Sequence, residues 1–219
     1  MRRLVLLGVL LLLAGVVACT NSSPNPGAPA ATPPVERTFQ WPPKLNEPYP
    51  DLELLDQTGR RVRLSSFKGS VILLETTAMS CAGCQAFCGA HKLGAFGGAV
   101  PQADLKSIEE YFPQYSGGIE LADPRLVYVQ LLFYNFKLQA PSPDEARKWA
   151  AHFKMDRAKN RVVLAGTPEF LGKETYDMIP GFHLIDKNFI FRADCAGHAP
   201  RHNLYTELLP LVPKLLAAK

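Results

Sequence analysis

The stretch "ETTAMSCAGCQAFCGAHK" brings Cys81, Cys84 and Cys88 close together, with His91 following directly. Thiolates attack disulfides and bind soft metals, and neutral imidazole binds metals too. Four chemistries therefore fit: a redox pair with a bystander thiol, a metal site, a covalent haem attachment or a peroxidase centre. Haem attachment needs His immediately after the CxxC, and this chain has Gln85 there. That option falls on a single residue.

The elements around the cysteines narrow the rest. "Val71-Ile72-Leu73-Leu74" is a short, wholly apolar run of β-prone residues, the mark of a buried central strand. A strand that runs through a loop into a helix puts Cys81 at or just before the helix N-terminus. Unpaired amides and the helix dipole there stabilise a thiolate. Upstream, "DLELLDQTGRRVRL" alternates apolar and polar residues around Gln57-Thr58-Gly59 and predicts a hairpin. Downstream, "PQADLKSIEEYF" reads as a helix with Leu105, Ile108 and Phe112 on one side, and 126–133 as a second buried strand. Ser142, Pro143 and Glu145 predict a capped helix start before an apolar stripe of Ala146, Trp149, Ala150 and Phe153. Residues 162–164 predict a short strand, and 182–186 and 189–192 two more around Lys187-Asn188. The chain ends in an apolar helical segment bent or interrupted by Pro210 and Pro213. Hairpin, strand, helix, strand, helix, hairpin, helix: this order predicts an α/β protein with a mixed sheet covered by helices on both faces.

The N-terminus sets the compartment. "MRRLVLLGVLLLLAGVVAC" has Arg2 and Arg3, an apolar run from Leu4 to Leu13, then small residues up to Cys19. This is a signal peptide in form, too short in its apolar core for a spanning helix. Residues 16–19 look like a bacterial lipobox, which implies a lipidated Cys19 anchoring the chain to a membrane. The expected organisation is a signal peptide over 1–18, a Pro-rich tether over 19–45 and one folded domain over 46–219. The expected place is the bacterial cell envelope. Net charge is +4 with Lys and Arg scattered rather than massed, so nucleic acid is not an expected partner. Of the 5 cysteines, lipid takes one. Cys81, Cys84, Cys88 and Cys195 remain in an oxidising space.

On these residues the chain resembles the thioredoxin-like superfamily, in its membrane-tethered TlpA/ResA and redoxin-related form. "YPDLELLDQTGRRVRLSSFKGSVILLETT" looks like the opening of that family, Cys81-Ala82-Gly83-Cys84 stands where it carries its redox pair, and "IPGFHLID" over 179–186 looks like its segment with a cis-proline facing the disulfide. The resemblance implies a thioredoxin-like fold, its mixed central sheet flanked by helices and preceded by a β-hairpin. It implies Cys81 as the exposed nucleophile, Cys84 as the resolving thiol, and a cis Pro180 opposite them. It implies thiol–disulfide exchange with envelope proteins and no cofactor. Ser80 stands where the family often has Trp, and Ala82-Gly83 replaces a proline-containing pair.

Three further residues are accessory candidates. Cys88 is a small buried group or a third thiol, Cys195 is a third redox thiol or the partner of Cys88, and Glu75 is a candidate for proton transfer to Cys84. A peroxiredoxin-like peroxidase would carry Thr or Ser and Pro where this chain has Ala78 and Leu74. The alternative reading is a Sco-like Cu(I) chaperone using the Cys84–Cys88 spacing, with Met178 and His183 as further ligands.

Overall fold

The computed structural model describes residues 38–197 and 200–218. The signal segment, Cys19, most of the tether and His198 lie outside them. In chain order, β1 (Glu53–Asp56) and β2 (Arg61–Arg63) form the expected antiparallel hairpin, and β3 (Val71–Ala78) is the central strand. Next come α1 (Ala82–Phe87), α2 (Ala90–Leu93), α3 (Ile108–Tyr115), β4 (Leu126–Tyr134) and α4 (Pro143–His152). Then follow β5 (Arg161–Ala165), α5 (Lys173–Tyr176), β6 (Gly181–Ile185), β7 (Phe191–Cys195) and α6 (Val212–Ala217).

The strands make one mixed sheet in the order β2-β1-β5-β4-β3-β6-β7. β3, β4 and β5 run parallel, while β6 is antiparallel to β3 and β7 to β6. A parallel β3-α1-β4 unit thus lies beside an antiparallel β6-β7 hairpin that leads to a terminal helix. That arrangement of β4-β3-β6-β7 is the thioredoxin-like motif.

Every residue of β3 is buried, as expected of a strand paired on both edges and covered on both faces. Alternate residues serve opposite layers. Val71 and Leu73 pack with Phe87, Phe112 and Trp149, from α1, α3 and α4, and with Leu208 and Val212 near the C-terminus. Ile72 and Leu74 pack with Trp41, Tyr49, Leu64 and Phe170. The regular helices thus gather largely on one face. The other face is covered by the segment before β1, by short 3-10 turns at 64–67 and 168–170, and by the single-turn α5 side, where Trp41 Nε1 donates to Thr175 Oγ1 at 3.0 Å.

Two boundaries differ from expectation. Packing begins ahead of residue 46: Phe39 and Trp41 join the second layer, their rings stacking edge-on or tilted against Phe133 and Phe170. Proline-rich composition conceals these two aromatic anchors. Leu105 falls outside α3, because Ser107 caps that helix and Glu110 completes a capping box, fixing the start at Ile108. The box expected at Ser142 and Glu145 forms likewise at α4. The C-terminal segment is a wide π turn over Leu204–Leu208, a 3-10 turn over Leu209–Leu211 and then α6, with Pro210 and Pro213 in the first positions of the last two.

Candidate redox site

β3 ends at Ala78, and a tight loop carries the chain to Cys81. Met79 N–H donates to Tyr134 O at 2.9 Å, tying the loop to the end of β4. Cys81 has extended backbone and is the N-cap of α1. Its Sγ accepts from the Cys84 amide at 3.1 Å, a place where Ser or Asp more usually caps. A thiolate there gains a charge-assisted hydrogen bond. Cys81 is bonded to Cys84 with Cα atoms 5.2 Å apart. Cys84 is fully buried, whereas Cys81 is only partly so.

Gln85, the residue that excludes haem, braces the loop. It is fully buried, donates to Met79 O at 2.7 Å and accepts from Phe96 N at 2.9 Å. Its place among Cys84, Ala86 and Phe87 in a buried helix turn was the available signal, since a buried amide must find partners. Helix α1 then stops after one and a half turns. Gly89, at φ 96°, takes the left-handed conformation that ends it, so the glycine-rich segment breaks the helix directly behind Cys88.

The Ile179–Pro180 bond is cis. Pro180 sits against the first turn of α1, where a side-chain carbon on Gly83 would meet its ring at 3.0 Å. Glycine at the second middle position of the CxxC thus lets the proline approach. Cys81, Ser80, Tyr134, Ile179 and Pro180 line a common groove of about 370 Å³.

Glu75 lies on the helical side of β3 and is fully buried. Its carboxylate is bonded to the Tyr128 hydroxyl, and takes the Gln130 amide at 3.2 Å and the Cys88 thiol at 3.7 Å. Gln130 also donates to Cys88 Sγ at 3.0 Å and accepts from Trp149 Nε1 at 2.9 Å. Burial pushes the Glu75 carboxyl up to about 7, against the pull of these donors, and raises the Cys88 thiol and Tyr128 hydroxyl well above their usual values. Glu75 therefore meets Cys88 rather than Cys84, which packs with the opposite layer. Cys88, Tyr128 and Gln130 also line a cavity of about 430 Å³ behind the redox helix.

Cys88 and Cys195 are both free, so of the two readings of Cys195 the bridge to Cys88 does not form. Cys88 is held in the Glu75 cluster, while Cys195 ends β7 opposite Phe182. Burial and the neighbouring Asp194 push the Cys195 thiol up to about 11, which keeps it protonated at neutral pH. The alternative copper ligands are not assembled. Met178 and His183 share a small cavity with Asp194 and Arg201, but neither cysteine lines it. His183 is fully buried, its Nδ1 lies 2.8 Å from the Tyr49 hydroxyl, and burial lowers its pKa to about 3. It is therefore a neutral packed histidine, and its 3.6 Å approach to Asp194 is neither an ion pair nor a hydrogen bond. Among the described residues, no group of three or more His, Cys, Asp or Glu is placed to hold a metal. His91 reaches Gln102 O at 2.9 Å on the surface.

The fold and the site together define a thioredoxin-like domain carrying a CxxC disulfide at a helix start, opposite a cis-proline. No family model and no curated protein matches the sequence. Among solved structures, a thiol:disulfide interchange protein from a Bacteroides species is 16% identical, covering 80% of this chain and 92% of its own at TM-score 0.47. A secreted thiol-disulfide isomerase from Corynebacterium glutamicum is 17% identical, covering 75% and 84% at TM-score 0.46. BsSco, a member of the Sco family of cytochrome c oxidase assembly proteins, is 16% identical, covering 84% and 100% at TM-score 0.49. Likeness at this level assigns no activity.

The buried carboxyl generates a pH test. Its folded pKa of about 7 exceeds the ordinary 4.5, so between those values the folded state binds more protons than the unfolded one. Stability must then fall as pH rises through that window. Denaturant titrations should show Glu75→Gln losing a decline of roughly 3 kcal/mol between about pH 5 and about pH 8 that the parent protein retains. An identical pH slope in both proteins would refute the buried ionisable role of Glu75.

Proposed function

We propose that this chain is an envelope thiol–disulfide oxidoreductase acting on protein thiols through Cys81 and Cys84. The observation that carries the reading is the asymmetry of the pair. One sulfur is partly exposed in an uncharged groove beside a cis-proline, and the other is sealed in the core. A substrate thiolate reaches only Cys81. Its attack forms a substrate–Cys81 disulfide, breaks the Cys81–Cys84 bond and leaves the electron pair on Cys84, which takes up a proton. A second substrate thiolate then attacks the substrate sulfur and expels Cys81 as a thiolate. Two electrons have passed to the protein, Cys84 holds a proton and Cys81 is left as a thiolate, and the substrate leaves as a disulfide. The reverse sequence reduces a substrate, and the direction follows from the potential of the pair against its partner. The Cys84 amide stabilises the Cys81 thiolate in both directions. No cofactor enters.

The two thiols have distinct test outcomes. Cys81→Ser should abolish exchange with a reduced model protein, and Cys84→Ser should accumulate mixed disulfides visible on non-reducing gels. Cys88→Ser should retain most of the activity. Retained exchange in Cys81→Ser would overturn the role given to Cys81, and stoichiometric Cu(I) binding by that variant with no exchange by the parent would overturn the reading in favour of copper handling.

The lipobox supports membrane attachment through Cys19 in the bacterial envelope. No helix among the described residues is long and apolar enough to cross a membrane. Cys19→Ala should shift the protein from the membrane to the soluble fraction on cell fractionation. An unchanged membrane fraction would contradict lipid anchoring.

A further inference from the structure

Ten residues line the groove at Cys81, and none is charged. Two of them, Leu138 and Tyr176, are large side chains left 57% and 52% exposed. Single exposed leucines are common on protein surfaces, but this one is fixed in place. It sits in the turn after β4 at φ 56°, a left-handed conformation that few side-chain-bearing residues adopt. Asn135 builds that turn: its Oδ1 accepts from Lys137 N at 2.9 Å and Gln139 N at 3.1 Å, and its carbonyl accepts from Leu138 N at 3.1 Å. Asn135 Nδ2 then reaches the Glu145 carboxylate at 3.3 Å, which ties the turn to the capped start of α4. Tyr176, also in the lining, meets Tyr134 edge-on at 6.3 Å between ring centres. Phe136, in the same turn, is 42% exposed and stacks on Phe96, the residue clamped to Gln85. The charged neighbours in sequence, Lys137 and Asp177, do not line the groove, and Asp177 is paired with Lys173.

A rigid turn thus holds apolar surface in water beside the only accessible sulfur of the redox pair. Burying such surface is favourable, and taking a charge into an uncharged cleft is costly. We infer that Leu138 and Tyr176 are specificity-determining residues: the groove favours a reactive cysteine flanked by a bulky apolar residue over one flanked by a charge. This rests on the redox reading above and goes on to specify its substrate class. Tyr176, Leu138 and Pro180 line the same groove as the Cys81 sulfur.

The test uses the mature Cys84→Ser protein and short peptides carrying one cysteine as a mixed disulfide with thionitrobenzoate. The Cys81 thiolate attacks the peptide sulfur, the peptide S–S bond breaks, and coloured thionitrobenzoate leaves with the electron pair. Peptides differ only beside the cysteine: Leu, Glu or Lys. The Leu peptide should react about tenfold faster than either charged one. Leu138→Asp should lower the Leu rate and raise the Lys rate relative to Glu, a reversal that a merely damaged site would not give. Tyr176→Ser should compress the Leu preference. Equal rates for all three peptides, or an unchanged order in Leu138→Asp, would overturn the inference while leaving the redox reading intact. Failure of Cys81 to react even with Ellman's reagent would overturn both. Sedimentation showing a dimer that Leu138→Asp dissociates would assign this rim to a second copy of the chain and overturn the inference as well.

Discussion

The structure depends on the complete burial of one strand. β3 pairs with β4 on one edge and β6 on the other, and every one of its residues is shielded from solvent. Its backbone polar groups are therefore committed to the ladders, and its register cannot slip without exchanging the two packed faces. That fixed register delivers Ala78 to the loop, the loop to Cys81, and Cys81 to the N-cap of α1. It also places Pro180, immediately before β6, against the same helix turn. The redox groove is assembled at the end of a strand that has no freedom to move.

The same register puts Glu75 in the middle of the sheet, where only paired polar groups are tolerated. Tyr128 and Gln130, two residues apart on β4, face it on the same side, and Cys88 closes the cluster from the end of α1. The four groups satisfy one another in the core, and Trp149 caps the chain of bonds through Gln130. A carboxyl that titrates near neutrality beneath the redox helix holds or releases a proton on the layer opposite Cys84. The Cys81–Cys84 disulfide and the Glu75 carboxyl thus meet opposite ends of one short helix, at its N-cap and at Cys88.

Much of this was legible in the sequence, for physical reasons. A short, wholly apolar run that opens on Val and Ile favours a buried strand, and Ser-Pro-Asp-Glu favours a helix start, so β3 and the start of α4 fall where expected. The CxxC after a buried strand and the distant Ile-Pro marked residues that the fold brings to one groove. What escaped depended on tertiary partners. Trp41 looks like part of a tether until Phe170 and Thr175 are brought beside it. Gln85 looks like a simple absence of histidine until Met79 and Phe96 need its amide. The Ser107–Glu110 box was visible and marks the start of α3, yet the apolar spacing from Leu105 masked it. Cys88 and Cys195 illustrate the limit most clearly, because pairing is decided by position in the fold and not by count.

The central claim is that one thiol, Cys81, is reactive, that Cys84 is sealed in the core, and that Cys88 and Cys195 are held protonated by their surroundings. Differential alkylation of the reduced native protein, followed site by site by mass spectrometry across pH, tests it most directly. The account predicts that Cys81 is labelled at least about tenfold faster than the others. Prior labelling of Cys84 or Cys88, or equal rates at all sites, would contradict it.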